Sequence, residues 1–162
     1  MRRTVFVETS IISYLASQPS RDLITAAHQQ ITHEWWRKRR STFDLFVSQL
    51  VVDKASAGDP DASGRRLALM VGLPLLDITH TVTAFAAFLA QAVALPPRTG
   101  ADALHIAFAT VHGMDYLLTW NCTQIANAEL RLLVERACRK QGYRAPIMCT
   151  PEELMEEVSY DY

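Results

Sequence analysis

Cysteine is scarce in this sequence, and its few thiols are arranged neither as pairs nor as metal ligands. The three cysteines are Cys122, Cys138 and Cys149, and they form no CxxC motif and no zinc-ligand spacing. A sparse, odd-numbered set is typical of a reducing compartment, where thiols stay unpaired. We therefore predict a cytoplasmic protein with buried or idle thiols.

Long apolar runs and a strong charge of either sign are also absent. The apolar run at residues 5–7 follows two arginines but ends at Glu8, which indicates a strand and not a signal peptide. No stretch approaches the ~20 apolar residues of a membrane span, so no membrane partner is expected. The formal net charge of −1 means that any contact with nucleic acid must come from a local patch.

The remaining composition suits one globular domain over residues 1–162, with 49% hydrophobic and 20% charged residues. Short β-rich runs alternate with helical segments, which predicts an α/β fold with a central, mainly parallel sheet flanked by helices. The predicted strands cover residues 4–7, 43–47, 73–78, 114–119 and 146–149. The predicted helices cover residues 11–16, 22–40, 49–57, 60–71, 80–95, 100–110 and 128–141, and a short terminal helix opens at Thr150.

Four polar residues stand at predicted strand ends or in helices that otherwise look buried. Glu8 ends the first strand, and Asp102 follows the possible N-cap Thr99 in the first turn of an apolar helix. Asp53 lies inside a helix, where Asp is a poor residue, and Asn121 ends another strand. Each also has a purely structural interpretation: a solvated strand end, a helix cap or a solvated helix face.

Convergence of these residues predicts a metal site. The carboxyl ends of parallel strands form the edge at which open sheets bind ligands. Three carboxylates gathered there repel one another, and one would take up a proton unless a cation joined them. Hard oxygen ligands suit Mg²⁺ or Mn²⁺, which can activate water and stabilise charge on a phosphodiester. We do not assign the neighbouring His105 to the metal, because a lone His on an apolar helix face is more often a core residue.

Other chemistries lack their motifs. The sequence has no GxxxxGK[ST] phosphate loop, no GxGxxG and no GxSxG, and no Cys has an evident His partner. The basic run at residues 37–40, after two tryptophans, matches a solvated helix C-terminus or a phosphate-contacting patch. We favour the solvated helix end.

The ordered motifs resemble the PIN-domain proteins, in particular the VapC-type bacterial toxins. The segments that carry the resemblance are VFVETSIISYL at 5–15, VSQLVVD at 47–53, ADALHIA at 101–107, YLLTWN at 116–121 and TPEEL at 150–154. The resemblance covers nearly the whole chain. It implies a three-layer PIN-like fold and a Mg²⁺- or Mn²⁺-dependent endoribonuclease that forms a homodimer and is inhibited by a cognate antitoxin.

Carried over by position, Glu8 stands where the family usually has its first Asp, and Asp53 where it usually has Glu. Asp102 matches the central Asp, and Asn121 stands near a fourth Asp or Asn. The resemblance thus implies that Glu8, Asp53 and Asp102 bind the metal and that Asn121 supports it or orients water. Gln124 stands where a His or basic residue is expected.

Two hypotheses follow from the sequence. The first is a metal-dependent ribonuclease that acts as the toxin of a toxin–antitoxin pair. The second, motivated by the exchanged acids and by Gln124, is a catalytically weakened PIN-fold module that binds RNA or protein without a working metal site. A DNA-directed nuclease of the same fold is a weaker third possibility.

Overall fold

A parallel sheet organises the computed structural model, which describes residues 1–93 and 100–159. The strands in these ranges are β1 (Arg3–Val7), β2 (Phe43–Ser48), β3 (Leu75–Leu76), β4 (Tyr116–Leu118) and β5 (Ile147–Cys149). They form one sheet in the order β3-β2-β1-β4-β5, and each pair of neighbours runs parallel. The predicted mainly parallel sheet is confirmed.

Helices fill each crossover between consecutive strands, as parallel pairing requires. In the described ranges they are α1 (Thr9–Ala16), α2 (Leu23–Lys38), α3 (Gln49–Ala55), α4 (Pro60–Leu69), α5 (His80–Ala92), α6 (Gly100–Val111) and α7 (Ala128–Lys140). Short 3₁₀ turns cover Arg40–Thr42 and Pro151–Leu154. Helix α1 packs against α2, α3 and α4, whereas α5 packs against α6 and α7. These two helix groups flank the sheet, so the predicted three-layer α/β class is confirmed.

The central strand is apolar because both of its faces are covered. Val5, Phe6 and Val7 of β1 are completely buried. Leu117 and Leu118 of the adjacent strand β4 are buried as well. A charged residue directly after such a strand therefore enters an environment that has little water.

Side-chain caps set most helix starts at the residues that the sequence predicted. Ser48 accepts a hydrogen bond from Val51 N, Asp59 from Ala62 N and Thr79 from Val82 N. Asn127 caps α7 in the same way. The predicted cap Thr99 lies outside the described residues, as does the end of the helix predicted to reach residue 95.

Several predicted strands and helices are longer than the observed ones. Strand β3 is two residues long instead of six, because Pro74 precedes it and cannot donate to a sheet ladder. The helix predicted to reach residue 40 ends at Lys38 and continues as a 3₁₀ turn. The predicted terminal helix after Thr150 is also a 3₁₀ turn, with a capping box between Thr150 and Glu153.

The sheet register brings the ends of β1, β4 and β5 to one edge. Val7 is opposite Leu118, and Leu118 is opposite Cys149. The ladder continues one step further, since Glu8 N donates to Leu118 O at 3.1 Å. Glu8 and Thr119 therefore leave the sheet side by side. Across the described residues, no helix is long and apolar enough to span a membrane.

Candidate functional site

Glu8 is a buried carboxylate at the junction of β1 and α1. Only 7% of the residue is exposed. Its Oε2 accepts a hydrogen bond from Ser10 N at 3.1 Å, which caps α1. Its Oε1 accepts from Ser10 Oγ and from Thr119 Oγ1, each at 2.6 Å. These three donors compensate for much of the water that the carboxylate loses.

The two hydroxyl groups that bind Glu8 also hold the chain that follows β4. Ser10 Oγ accepts from Trp120 N at 2.9 Å, and Thr119 Oγ1 accepts from Asn121 N at 2.9 Å. Each hydroxyl thus donates to the carboxylate and accepts from a backbone amide. This arrangement fixes where Asn121 lies relative to Glu8.

Asp102 and Asn121 form the second part of the site. Asp102 lies half-buried in the first turn of α6, and its Oδ1 accepts from Asn121 Nδ2 at 3.0 Å. The other end of the same amide is occupied too, because Asn121 Oδ1 accepts from Gln124 N at 3.0 Å. Asn121 therefore both caps a turn and positions a carboxylate, and its role in supporting a metal or orienting water stays a prediction.

Glu8 and Asp102, which we call the acid pair, interact electrostatically. Burial raises the pKa of Asp102 above its usual value, and the negative charge of Glu8 raises that pKa further. The Lys54 ammonium and the Asn121 amide act in the opposite direction without cancelling the rise. An elevated carboxyl pKa beside a second carboxylate indicates a place where negative charge is incompletely balanced.

Lys54 and His105 complete the group around the acid pair. Lys54 Nζ on α3 lies 3.5 Å from Nε2 of His105, which is fully buried on α6. Burial lowers the pKa of His105 from 6.5 to about 4; Glu8 raises it, and Lys54 lowers it further. His105 is a neutral core residue at pH 7, and its ring packs 6.0 Å from that of Phe6.

Asp53 does not join the acid pair. Its side chain is exposed, and its Oδ1 accepts from Gln49 Nε2 at 2.8 Å, one turn earlier on the same helix. Val51 and Ala55 form the buried face of α3. Asp53 lies two residues from each, which at about 100° per residue places it on the opposite side. Its neighbour Lys54 is the residue of α3 whose side chain reaches His105 on α6.

Sequence reasoning identified Glu8, Asp102 and Asn121 but missed the roles of Lys54 and Thr119. The rotation of α3 could have been anticipated from the apolar pair Val51 and Ala55, which share one helix face. The hydrogen bonds of Thr119 could not have been anticipated, because they depend on the pairing of β1 with β4.

The basic run at residues 37–40 covers the last turn of α2 and the residues that follow it, and three of its side chains make contacts within the protein. Lys38 pairs with Glu34 at 2.6 Å, and Arg39 Nε donates to Leu154 O at 3.2 Å. The Arg40 guanidinium lies 4.3 Å from the ring centroid of Trp36. These contacts agree with a solvated helix end, which the sequence favoured over a phosphate-contacting patch.

The oxygen atoms of the acid pair are of the chemical type that binds a divalent cation. They are hard oxygen atoms from two carboxylates, and Mg²⁺ is often held by one or two carboxylates together with waters and substrate phosphates. Among residues 1–93 and 100–159, no three His, Cys, Asp or Glu side chains are grouped as a metal site would require. Comparisons with protein-family models, curated proteins and solved structures gave no match.

Proposed function

We propose that this chain is a Mg²⁺- or Mn²⁺-dependent endoribonuclease that hydrolyses RNA phosphodiester bonds with water. The observation that carries the proposal is the acid pair. Glu8 follows the end of β1 and Asp102 lies at the start of α6, and hydrogen bonds through Thr119 and Asn121 connect the two at the carboxyl edge of a parallel sheet. The motifs that resemble PIN-domain toxins include both residues.

Within this proposal, Glu8 and Asp102 hold the ion, and Asn121 positions Asp102 through its amide. A divalent ion at the pair would supply an activated water and stabilise charge on the phosphodiester. Ser10 and Thr119 orient Glu8 by donating hydrogen bonds to its carboxylate. Asp53 has a lesser part than the resemblance implies, because its side chain is turned to solvent.

The biological setting is proposed from the resemblance to VapC-type toxins and from the unpaired state of the cysteines. A toxin of a toxin–antitoxin pair is expected to form a homodimer, to be cytoplasmic and to be inhibited by its antitoxin. The three cysteines are free, as a reducing compartment would leave them. Light scattering on the purified chain tests the dimer, and suppression of RNA cleavage by a co-encoded small protein tests the antitoxin.

A cleavage assay with matched acid variants tests the central proposal. Asp102→Asn should lower the rate of RNA cleavage at least about a hundredfold, because it removes a charged ligand without removing the partner of Asn121. Asp53→Asn is the control and should keep most of the activity. Parallel assays on DNA of the same sequence decide between the two nucleic acids. Equal rates for Asp102→Asn and the parent chain would falsify the assignment of the site.

The second candidate function is a binding module without a working metal site. Lys54 favours it, since its positive charge acts on Asp102 and offsets part of the negative charge that a metal ion would otherwise balance. Thermal unfolding during a Mn²⁺ titration separates the two candidates, because binding to the folded state alone raises stability. A flat response at millimolar Mn²⁺ supports the binding module.

A further inference from the structure

Trp36 stands between two hollows beside the C-terminal end of α2. The first, of about 610 Å³, is lined by Trp36 together with Arg2, Arg37 and Arg40. The second, of about 500 Å³, is lined by Trp36, Arg37 and Glu34. Trp36 is half-buried, so its side chain is partly accessible. We call Trp36 and the three arginines, with the two hollows that they line, the Trp36 cleft.

The arginines of the Trp36 cleft are largely free of carboxylates. Arg37 and Arg40 form no ion pair among residues 1–93 and 100–159, and Arg2 lies 3.9 Å from Asp44, a long distance for such a pair. The Arg40 guanidinium lies instead over the ring of Trp36. Asp44 is the one acid that lines the first hollow, and the acid of the second is already paired on α2. The cleft therefore carries a net positive charge that is open to an anionic ligand.

The Trp36 cleft lies at the edge of the sheet opposite the acid pair. Arg2 precedes β1, Arg40 begins the turn before β2, and Pro74, which also lines the first hollow, precedes β3. These are the amino ends of parallel strands, whereas Glu8 follows the carboxyl end of β1. The five residues of β1, at ~3.3 Å each, separate the two edges by about 16 Å. The cleft is thus a site distinct from the acid pair.

We infer that the Trp36 cleft is a second binding surface for single-stranded RNA. An unpaired base stacks on the pair formed by Trp36 and Arg40, and the phosphates lie against Arg2 and Arg37. Surfaces that hold single strands combine a positively charged track with aromatic rings on which bases stack. The inference rests on the proposed function only in the choice of RNA over DNA.

The tryptophan favours a nucleic acid over an acidic protein segment. Arginine binds carboxylates and phosphates alike, so the charges alone do not separate the two ligands. An acidic peptide would use the arginines but would leave the ring of Trp36 without a stacking partner. A nucleotide uses both, because every base has an aromatic face and every phosphate a negative charge.

Fluorescence anisotropy with labelled oligouridylate measures the phosphate contacts. The full chain is titrated in EDTA, which withholds the divalent ion, at several salt concentrations. Arg37→Met and Arg40→Met should each make the slope of log affinity against log salt shallower by about 0.7, the contribution of one phosphate contact in a single strand. Arg136→Met is the matched control: it removes an exposed arginine of α7 and should change neither affinity nor slope.

Substitutions of Trp36 measure the stacking. Trp36→Leu should weaken binding of oligouridylate about tenfold and leave the salt slope unchanged, because the ring carries no charge. Trp36→Phe retains an aromatic ring and should keep most of the affinity. Circular dichroism shows which variants fold, and the two arginine variants decide the matter alone if Trp36→Leu does not fold.

Cleavage assays with Mn²⁺ separate the cleft from the acid pair. A surface at the opposite edge binds substrate and transition state equally, so Arg37→Met and Arg40→Met should raise KM and leave kcat unchanged. Asp102→Asn should do the reverse, lowering kcat while keeping the affinity for RNA in EDTA.

The outcomes distinguish this inference from the proposed function. If the arginine and tryptophan variants bind oligouridylate as the parent does, the inference is overturned and the nuclease proposal is untouched. If they lose affinity but the parent cuts no RNA, the inference stands and the nuclease proposal fails. Tighter binding of oligothymidylate or polyglutamate than of oligouridylate, dependent on the same residues, would assign the cleft to DNA or to an acidic protein and overturn the inference.

Discussion

Thr119 donates from its hydroxyl group to Oε1 of Glu8 at 2.6 Å, although the two residues are 111 positions apart in the chain. The same oxygen of Thr119 accepts from Asn121 N at 2.9 Å. One buried side chain therefore joins the two carboxylate-bearing halves of the site, because Asn121 in turn binds Asp102. The geometry of the acid pair depends on this hydroxyl.

The first prediction concerns this hydroxyl. Thr119→Val keeps the shape of the side chain but leaves Glu8 short of a donor and Asn121 N without its acceptor. We expect the free energy of unfolding to fall by about 1–3 kcal/mol, as when buried polar groups lose their partners. Urea denaturation measures the change. Thr119→Ser retains the hydroxyl and should lose less; equal losses for the two variants would contradict this role.

The second prediction concerns the charge of Asp102. The pKa of Asp102 in the folded chain lies above the ordinary value of 3.8. At a pH between 3.8 and that raised pKa, the folded chain therefore binds more protons than the unfolded chain. The parent chain therefore loses stability as the pH rises through that window, and the loss persists above it. Asp102→Asn does not titrate, so in EDTA its stability relative to the parent should be greater at about pH 7 than at about pH 3.

Asp53→Asn provides the control for this pH effect. Asp53 is exposed and lies away from the acid pair, so its variant should follow the pH profile of the parent chain. Thermal midpoints at both pH values are sufficient for the comparison. A profile for Asp102→Asn that is parallel to the parent's would show that burial of Asp102 does not disfavour its charged form.

Strand positions and most helix starts were predictable because they depend on local patterns. Apolar runs such as residues 5–7 indicate buried parallel strands, and residues such as Ser48 indicate helix caps. Glu8 and Asp102 could be named as candidates for the same reason, since Glu8 stands directly after a strand and Asp102 lies in the first turn of a helix. These features require only a few neighbouring residues.

Which other residues belong to the site could be seen only in the tertiary structure. Asp53 and Lys54 are adjacent in sequence and differ by about 100° around α3, so the rotation of one helix decides which faces the acids. Burial of Val51 and Ala55 sets that rotation and turns Asp53 outward. The contact of Thr119 with Glu8 likewise depends on the β1–β4 register.

The third prediction concerns the protonation of His105. Its pKa of about 4 in the folded chain, compared with 6.5, keeps the ring neutral at pH 7. The unfolded chain binds a proton here between these values and the folded chain does not. Stability should therefore fall as the pH drops from 6.5 towards 4, by on the order of 3 kcal/mol if the full shift is realised.

Nuclear magnetic resonance measures the His105 titration directly. The ring proton signals of His105 should shift with a midpoint near 4, well below the usual histidine value of 6.5. His105→Leu should flatten the pH dependence of unfolding, even where it changes the stability itself. A midpoint near 6.5 for His105 would show that the buried ring is solvated.

The fourth prediction concerns the end of the helix that carries Lys54. Arg66 donates from Nε to Ala55 O at 2.8 Å and from Nη2 to Ala57 O at 2.6 Å, which ties α4 to the C-terminus of α3. Arg66→Met should lower stability by about 1–2 kcal/mol and accelerate amide exchange in α3. Exchange measured by mass spectrometry over residues 49–57 tests this, with the exposed Arg136→Met on α7 as control.

The final prediction adds negative charge to the acid pair. Asn121→Asp replaces the amide that donates to Asp102 with a carboxylate, while an oxygen remains for Gln124 N. Without divalent ions the new charge repels Asp102, so the melting temperature in EDTA should fall below that of the parent. A third carboxylate also increases the attraction for Mn²⁺, so the ion should raise the melting temperature of this variant more than that of the parent. Asn121→Ala removes the same hydrogen bond without adding charge, and its response to Mn²⁺ should not exceed the parent's. If Asn121→Asp and Asn121→Ala respond equally to the ion, then position 121 does not face a cation site, and the acid pair has to work without it.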